Sequence, residues 1–295
     1  MSLPLVSIIT RTKDRNVLLD RAIADIARQS YENFELIIVN DGGDPNGVNA
    51  LLEKHKAALA GRGRALHNQS SQGMERASNQ GIEATSGKYV CIHDDDDTWH
   101  PKFLETCVEY LEAHPSHGGV AVRTEIVLEV LKGGGVTEIG REIAWPKIHQ
   151  FSLSKLMVSN IAVPISCMYP REVINNLGGF RSDLPVVGDW EFHIRLAATY
   201  EVGFLDEKPL AYWHQRRRQG GVLGNSVFAG ADKHAYFELK VRDEYLRDYV
   251  EKNGMGALLW QAAFFHELIS RKESTLGWAR RKAIEFVRSR RGKKK

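Results

Sequence analysis

Apolar positions along the first 110 residues recur in two alternating rhythms. Short β-branched or apolar runs at 5–10, 34–39 and 89–92, with a weaker one at 64–67, read as strands. Between them, apolar residues return at helical spacing: Leu19, Ala22, Ile23 and Ile26; Val48, Leu51, Leu52 and Leu59; Ala77 and Ile82; Leu104, Cys107, Val108 and Leu111. Asp14 or Asn16 is available to cap the first of these helices. Near-continuous hydrophobic strands alternating with helices predict an α/β fold, its mostly parallel sheet covered on both faces. Residues 118–130 and 136–145 read as two strands joined by a glycine turn, an antiparallel extension of that sheet. A further strand at 164–169 leads into a helix at 171–177, ended by Gly178 and Gly179. Trp190, Ile194 and Ala197 mark a helix face with Asp189 at its N-cap. From about residue 230 the pattern is helical, and Trp260, Phe264, Phe265, Leu268 and Ile269 form one broad apolar face expected to pack on the body.

Ligands of such sheets bind beyond the carboxyl ends of the strands. Asp14, Asp41 and the run Asp94, Asp95, Asp96 and Asp97 all directly follow strands, so the fold gathers them along one edge. Four successive carboxylates at the end of a buried strand repel one another and are costly to bury unless something positive arrives. In an extended segment Asp94 and Asp96 share a face, forming an oxygen clip suited to Mg²⁺ or Mn²⁺ with phosphate among the remaining ligands. A solvated acidic loop rarely follows a buried strand and precedes a helix led by Pro101. An EF-hand is excluded because Trp99 stands where that loop needs glycine. Gly61 and Gly63 lack the third glycine of a dinucleotide fingerprint, and no Walker-A sequence occurs. His266-Glu267 lacks a second zinc histidine, and no Gly-x-Ser-x-Gly elbow is present.

Composition changes this picture little. The 295 residues are 43% hydrophobic and 26% charged, ordinary for a soluble globular chain. No window approaches the ~18 apolar residues of a membrane span, and the N-terminal run carries no basic stretch or cleavage site, predicting no signal peptide. Cys91, Cys107 and Cys167 are isolated and odd in number, which fits reduced packing thiols in a cytoplasmic protein. Charge is more telling: the net +3 combines +9 over residues 271–295 with −6 over residues 1–270. An acidic body with a basic tail excludes a nucleic-acid footprint spread over the chain. The tail, with its stripe Leu276, Ala279, Ala283, Phe286 and Val287, reads either as a solvated end or as an interfacial helix drawn to anionic lipid.

Taken together and in order, Val6-Ser-Ile-Ile, Thr12-Lys-Asp14-Arg15, Ile37-Ile-Val-Asn-Asp41-Gly-Gly, Ala77-Ser-Asn79-Gln-Gly81-Ile82, Gly87-Lys-Tyr-Val and the aspartate cluster with Trp99 and Pro101 resemble the family 2 glycosyltransferases. The resemblance covers roughly residues 5–215. It implies a GT-A fold, a mixed sheet flanked by helices, over residues 1–228, with a nucleotide half to about 115 and an acceptor half from about 116. Residues 229–295 are then a helical extension. It implies nucleotide contacts at Thr10, Thr12, Asp14, Asp41, Arg76, Asp94 and Asp95, with Asp41 reading the base, and a metal at Asp94 and Asp96 approached by His214. Asp189 is implied as the base that deprotonates an acceptor hydroxyl, against its reading as a helix cap worth about 1 kcal/mol. Glu191 is the fallback base, with a solvated helix face as its other role. Arg216, Arg217 and Arg218 are either a solvated loop or a clamp on the leaving diphosphate, and the glycines at 220–224 make that loop a candidate lid.

Five positions depart from the family pattern. Arg11 and Lys13 replace a proline and a tyrosine, and Asp14 replaces a common asparagine. Ser78 replaces an arginine for which Arg76 could substitute, and Gly188 replaces an acid before Asp189. The reading is an inverting, metal-dependent transferase moving sugar from a nucleoside-diphosphate sugar to a glycan or lipid-linked acceptor, in bacterial surface polysaccharide or lipopolysaccharide synthesis. It places the protein in the cytoplasm, peripheral at the inner membrane face. A sugar-nucleotide nucleotidyltransferase and a degenerate sugar-nucleotide-binding module are the alternatives.

Overall fold

The computed structural model describes residues 3–132, 135–216 and 231–269. The chain divides into two compact units, residues 1–238 and 239–295. In the first, β1 (Val6–Thr12), α1 (Asn16–Ile26), β2 (Phe34–Asp41), α2 (Pro45–Leu59), β3 (Gly63–Asn68), α3 (Met74–Glu83) and β4 (Tyr89–Ile92) follow the predicted alternation. β1 pairs in parallel with β2 and β4, and β2 with β3. Both faces of β1 are covered: Val6, Ile8 and Ile9 are fully buried. Each such side chain stabilises the fold by about 1.5–3 kcal/mol through removal from water. α1 meets the sheet with Leu19, Ala22, Ile23 and Ile26, all at 0% exposure, the helical period read from the sequence.

Beyond β4 the chain makes the two-residue strand β5 (Thr98–Trp99) and then α4 (Phe103–Ala113). Trp99 anchors this crossover: its ring stacks on Phe103 at 4.3 Å, its Nε1 donates to Ile165 O, and its backbone N–H donates to Asp25 of α1. The segment 118–130 is not one strand. It breaks at Arg123 into β6 (Gly119–Val122), in the main sheet, and β7 (Thr124–Lys132), in a second sheet with β8 (Gly135–Ile143). After the short helix α5 (Leu153–Leu156) come β9 (Cys167–Pro170), α6 (Arg171–Leu177), α7 (Gly188–Thr199), β10 (Val202–Leu205) and β11 (Ala211–Gln215).

The main sheet has the order β10-β6-β9-β4-β1-β2-β3, with β9 antiparallel to both β4 and β6, so it is mixed. The expected antiparallel extension is instead the separate sheet β5-β11-β7-β8. β5 and β7 carry the chain out of the main sheet, and β11 closes the second sheet between them. The three cysteines are buried and unbridged, as expected of packing thiols.

α8 (Ala231–Asn253) continues across the boundary into the second unit, where residues 256–269 are helical. Within that unit Trp260 is 68% and Phe265 59% accessible. The basic tail 271–295, the glycines at 133 and 134, Arg217, Arg218 and the candidate lid 217–230 lie outside the described residues.

Candidate active site

The carboxyl ends of β1, β2 and β4 and the start of α7 surround a cavity of about 460 Å³. Asp41, all four aspartates of the cluster and Asp189 line it, together with Arg11 near the end of β1 and Lys13 and Arg15 from the β1–α1 connection. The volume falls in the range of small-molecule sites. The cluster is not extended. Asp97 N–H donates to Asp94 O at 3.2 Å, closing a turn, so all four side chains reach the cavity instead of alternating between faces.

Each carboxylate has its own partner. Arg11 Nε and Nη2 donate to Asp94 Oδ1, the first at 3.0 Å. Thr12 Oγ1 donates to Asp95 Oδ2 at 2.8 Å, and Arg15 to Asp95 Oδ1 at 2.7 Å. Arg216 donates to Asp96 Oδ2, with Arg15 3.5 Å away, and His214 N–H donates to Asp97 Oδ1 at 2.8 Å. These pairings do not cancel the repulsion. Burial pushes Asp95 up to about 7, Arg15 opposing and Asp96 reinforcing. Asp97 is also raised, by burial and then by Asp96 and Asp94. Burial is the first cause at both groups, and the neighbouring carboxylates add to it.

Glu129 on β7 joins this network although nothing in the motif pattern singled it out. A register shift between Leu128 and Glu129 interrupts the β7–β8 ladder, the kind of irregularity that re-aims a side chain. Glu129 accepts from Arg21 at 2.5 Å, from His214 Nδ1 at 2.6 Å and from Arg216 at 2.8 Å. Burial raises it, but the His214 hydrogen bond and Arg21 prevail and hold it at about 2. The signal available in the sequence was one acid inside the apolar run of β7.

His214 was expected near a metal, but both its ring nitrogens are engaged. Nδ1 donates to Glu129, and Nε2 accepts from Thr98 Oγ1 at 2.7 Å. It serves as a strut between β11, β7 and β5. Arg216, read as a loop or diphosphate clamp, is fully buried between Asp96 and Glu129.

Asp41 ends β2 with both oxygens in use. Oδ1 accepts from Asn68 Nδ2 at 2.9 Å and Gln72 N–H at 2.8 Å; Oδ2 accepts from Ser71 Oγ at 2.7 Å and Gly73 N–H at 3.0 Å. Burial works against its charge, but these bonds prevail and hold the carboxyl below its ordinary range. Gly42 (φ 82°) makes the turn that lets residues 70 and 71 approach; a Cβ there would lie 2.5 Å from Ser71 N.

Asp14 and Arg76 are exposed and do not line the cavity. Asp14 has φ 54° and accepts from Asp44 N–H at 2.9 Å, bracing the β2–α2 connection. Thr10 is fully buried in β1, its Oγ1 without a hydrogen-bond partner among the described residues. The place expected for Arg76 is filled by Arg11, which reaches Ser78 Oγ at 3.2 Å and Met74 O at 3.4 Å. Sequence reasoning noted Arg11 and Lys13 as departures without drawing the consequence that they put cations into the cavity.

α7 begins two residues earlier than expected. Its cap is Val187, in the left-handed region at φ 60°, and Asp189 is the second helical residue. Capping therefore does not account for Asp189. Its Oδ2 accepts from Asn160 Nδ2 at 2.8 Å, and burial raises its pKa despite help from Trp190 N–H and Asn160. Glu191, the fallback, is neither solvated nor facing the cavity. It is 1% exposed and takes two hydrogen bonds from Arg195, at 2.9 and 2.7 Å.

Among the described residues no three His, Cys, Asp or Glu side chains are placed to hold a metal ion. The donors the turn offers are carboxylate oxygens, the kind a hard divalent cation takes, and Asp94 Oδ2 accepts no hydrogen bond among the described residues.

A mixed α/β sheet with an acidic turn at its strand ends, and a further carboxylate across one cavity, defines a GT-A type transferase. The family model described as Glycosyl transferase family 2 matches residues 7–178, and the chain belongs to that family. Over 254 residues it is 27% identical to the uncharacterized glycosyltransferase YwdF of Bacillus subtilis, covering 86% of this chain and 85% of the other. The fold is similar to that of Staphylococcus aureus TarS 1-349 in complex with UDP-GlcNAc, with a TM-score of 0.61, 16% identity and coverage of 85% and 74%. A second structure of that fragment is matched over 60% of its length, less than two thirds. The mannosyltransferase PcManGT of Pyrobaculum calidifontis, in complex with GDP-Man and Mn²⁺, gives a TM-score of 0.55 at 19% identity, over 75% of this chain and 59% of that one. The chain is a glycosyltransferase, and the nucleotidyltransferase alternative falls away. No described helix is long and apolar enough to cross a membrane.

Proposed function

We propose that this glycosyltransferase uses a nucleoside-diphosphate sugar and transfers the sugar to an acceptor hydroxyl with inversion, dependent on a divalent cation. The observation that carries this reading is that Asp189 and the Asp94–Asp97 turn face one cavity from different elements. Mg²⁺ or Mn²⁺ held by Asp94 and Asp96 supplies charge neutralisation for the diphosphate. Solved structures with UDP-GlcNAc, and with GDP-Man and Mn²⁺, support a donor and cation of this kind.

The chain's own residues take the remaining roles. Asp41 fixes residues 68–73, and Thr12 orients Asp95; together they shape the floor on which the nucleoside rests. Lys13 and Arg15 line the cavity and offer cations to the leaving phosphate oxygens. Asp189 accepts the proton of the acceptor hydroxyl as its oxygen attacks the anomeric carbon. With Asn160 on one oxygen, it is oriented for that task. One base and one displacement give inversion. A glycan or lipid-linked acceptor, a role in surface polysaccharide synthesis, and attachment of the basic tail 271–295 to anionic lipid complete the reading.

Thermal shift with UDP, GDP, dTDP and CDP, with and without Mn²⁺, tests it. We expect one nucleotide to raise the melting temperature only with the cation, and Asp96→Ala to abolish the rise. No response to any nucleotide would refute the donor site.

A further inference from the structure

Glu75, in the first turn of α3, stands against the start of α7 and belongs to no motif. It is 5% exposed, and its Oε2 has no hydrogen-bond partner among the described residues. Its side chain fills the space that a side chain at position 188 would need: a Cβ on Gly188 would overlap Glu75 Cγ and Oε1. Gly188 is helical with no left-handed φ, so its lack of a Cβ is a matter of space and not of backbone conformation. The Gly188 N–H donates to the Glu75 carboxylate. On its other side Glu75 Oε2 lies 3.6 Å from Arg11 Nη1, whose guanidinium also holds Asp94. One buried carboxyl thus touches the first turn that carries Asp189 and the arginine that carries Asp94.

We propose that Glu75 is a positioning residue that ties the base Asp189 to the acidic turn, supplying from α3 a carboxyl group at the place where residue 188 has none. The inference rests on Asp189 being the base. The charged groups facing Glu75 are Arg11, Asp94 and Asp189. Burial raises the Glu75 carboxyl to about 7; Arg11 lowers it, and Asp189 and Asp94 raise it. Without that side chain, water enters beside Asp189, and the burial that raises the Asp189 pKa is relieved.

The test moves the carboxyl group between elements. Glu75→Ala, Glu75→Gln and the exchange Glu75→Ala/Gly188→Glu are compared with wild type. One readout is the ¹³C-carboxyl titration of Asp189, assigned with Asp189→Asn, which needs no substrate. The other is nucleotide release from UDP-GlcNAc and GDP-Man with Mn²⁺. We expect Glu75→Ala to move the Asp189 titration toward the ordinary aspartate range and, with the donor that is turned over, to lower kcat about tenfold with KM little changed. Glu75→Gln, which keeps an acceptor for Gly188 N–H, should lose less, and the exchange should restore both readouts. An Asp189 titration unaltered in Glu75→Ala, or an exchange that folds but restores nothing, overturns the proposal. Turnover that survives Asp189→Asn would instead refute the base, leaving the titration to decide the role of Glu75.

Discussion

Asp189 has a neighbour for each function a carboxylate could serve, and those neighbours separate the roles. Val187 takes the cap position, so the side chain is not spent on the helix end. Asn160 holds Oδ2, and burial raises the pKa above the ordinary aspartate value. A raised base is a better proton acceptor once ionised, but it is lost to protonation at a higher pH than a free aspartate. The acid limb of kcat/KM should therefore lie above the ordinary aspartate pKa, with activity falling as pH drops through it. Asp189→Asn should remove that limb and lower kcat by about 10²–10⁴-fold while leaving nucleotide binding intact. Nucleotide release measured from pH 4 to 8 checks both outcomes, and an acid limb unchanged in the variant would reassign the base.

At the scale of elements, β7 and β11 are locked to the turn by Glu129, His214, Arg216 and Arg21. Glu129 sits at about 2 in the fold, against 4.5 as its ordinary value. Its stabilisation is therefore fully present above about pH 4.5 and is lost as pH falls toward 2. Glu129→Gln removes one of the two anions that flank the buried Arg216 and leaves it Asp96 alone, which costs at most about 3–5 kcal/mol at neutral pH. Urea midpoints of wild type and variant should differ most at pH 7 and draw together as pH falls from 4.5 toward 2; an equal gap at pH 7 and pH 2 would refute the assignment. The pairings of this network were not legible in the sequence, although His214 and Arg216 stood out as candidates, because its members lie up to 120 positions apart and meet only across two sheets. The central strands and helices were legible, since their apolar period is local: Ile8 and Ile9, or Leu19 and Ile23, are read within a few residues of themselves. The second sheet was not. The break at Arg123 depends on that side chain reaching Trp145 O and Ile148 O, more than 20 residues away. The four aspartates were legible as chemistry but misread as extended backbone, because one hydrogen bond from Asp97 to Asp94 decides the turn.

The whole molecule carries a cost concentrated at one place. A well-packed sheet with fully buried Ile8, Ile37 and Val90 ends in a turn where Asp95 and Asp97 are held above their ordinary range by burial and by each other's neighbours. For a carboxyl raised in the fold, ionisation opposes folding, so at neutral pH this turn destabilises the protein that surrounds it. Such local cost is expected where a binding site needs charge that only its ligand neutralises. Asp97→Asn tests this directly. The amide oxygen still accepts the bond that His214 N–H makes at 2.8 Å, while one buried like charge disappears. We expect the variant to melt higher than wild type by about 2–4 °C, equivalent to roughly 1 kcal/mol for a domain of this size. Mn²⁺ should narrow the gap, because a cation at Asp94 and Asp96 relieves in wild type the repulsion that the substitution removes. Thermal scans of both proteins with and without Mn²⁺ decide it. A wild type that melts as high as Asp97→Asn in the absence of the cation would show that the turn is not under electrostatic strain.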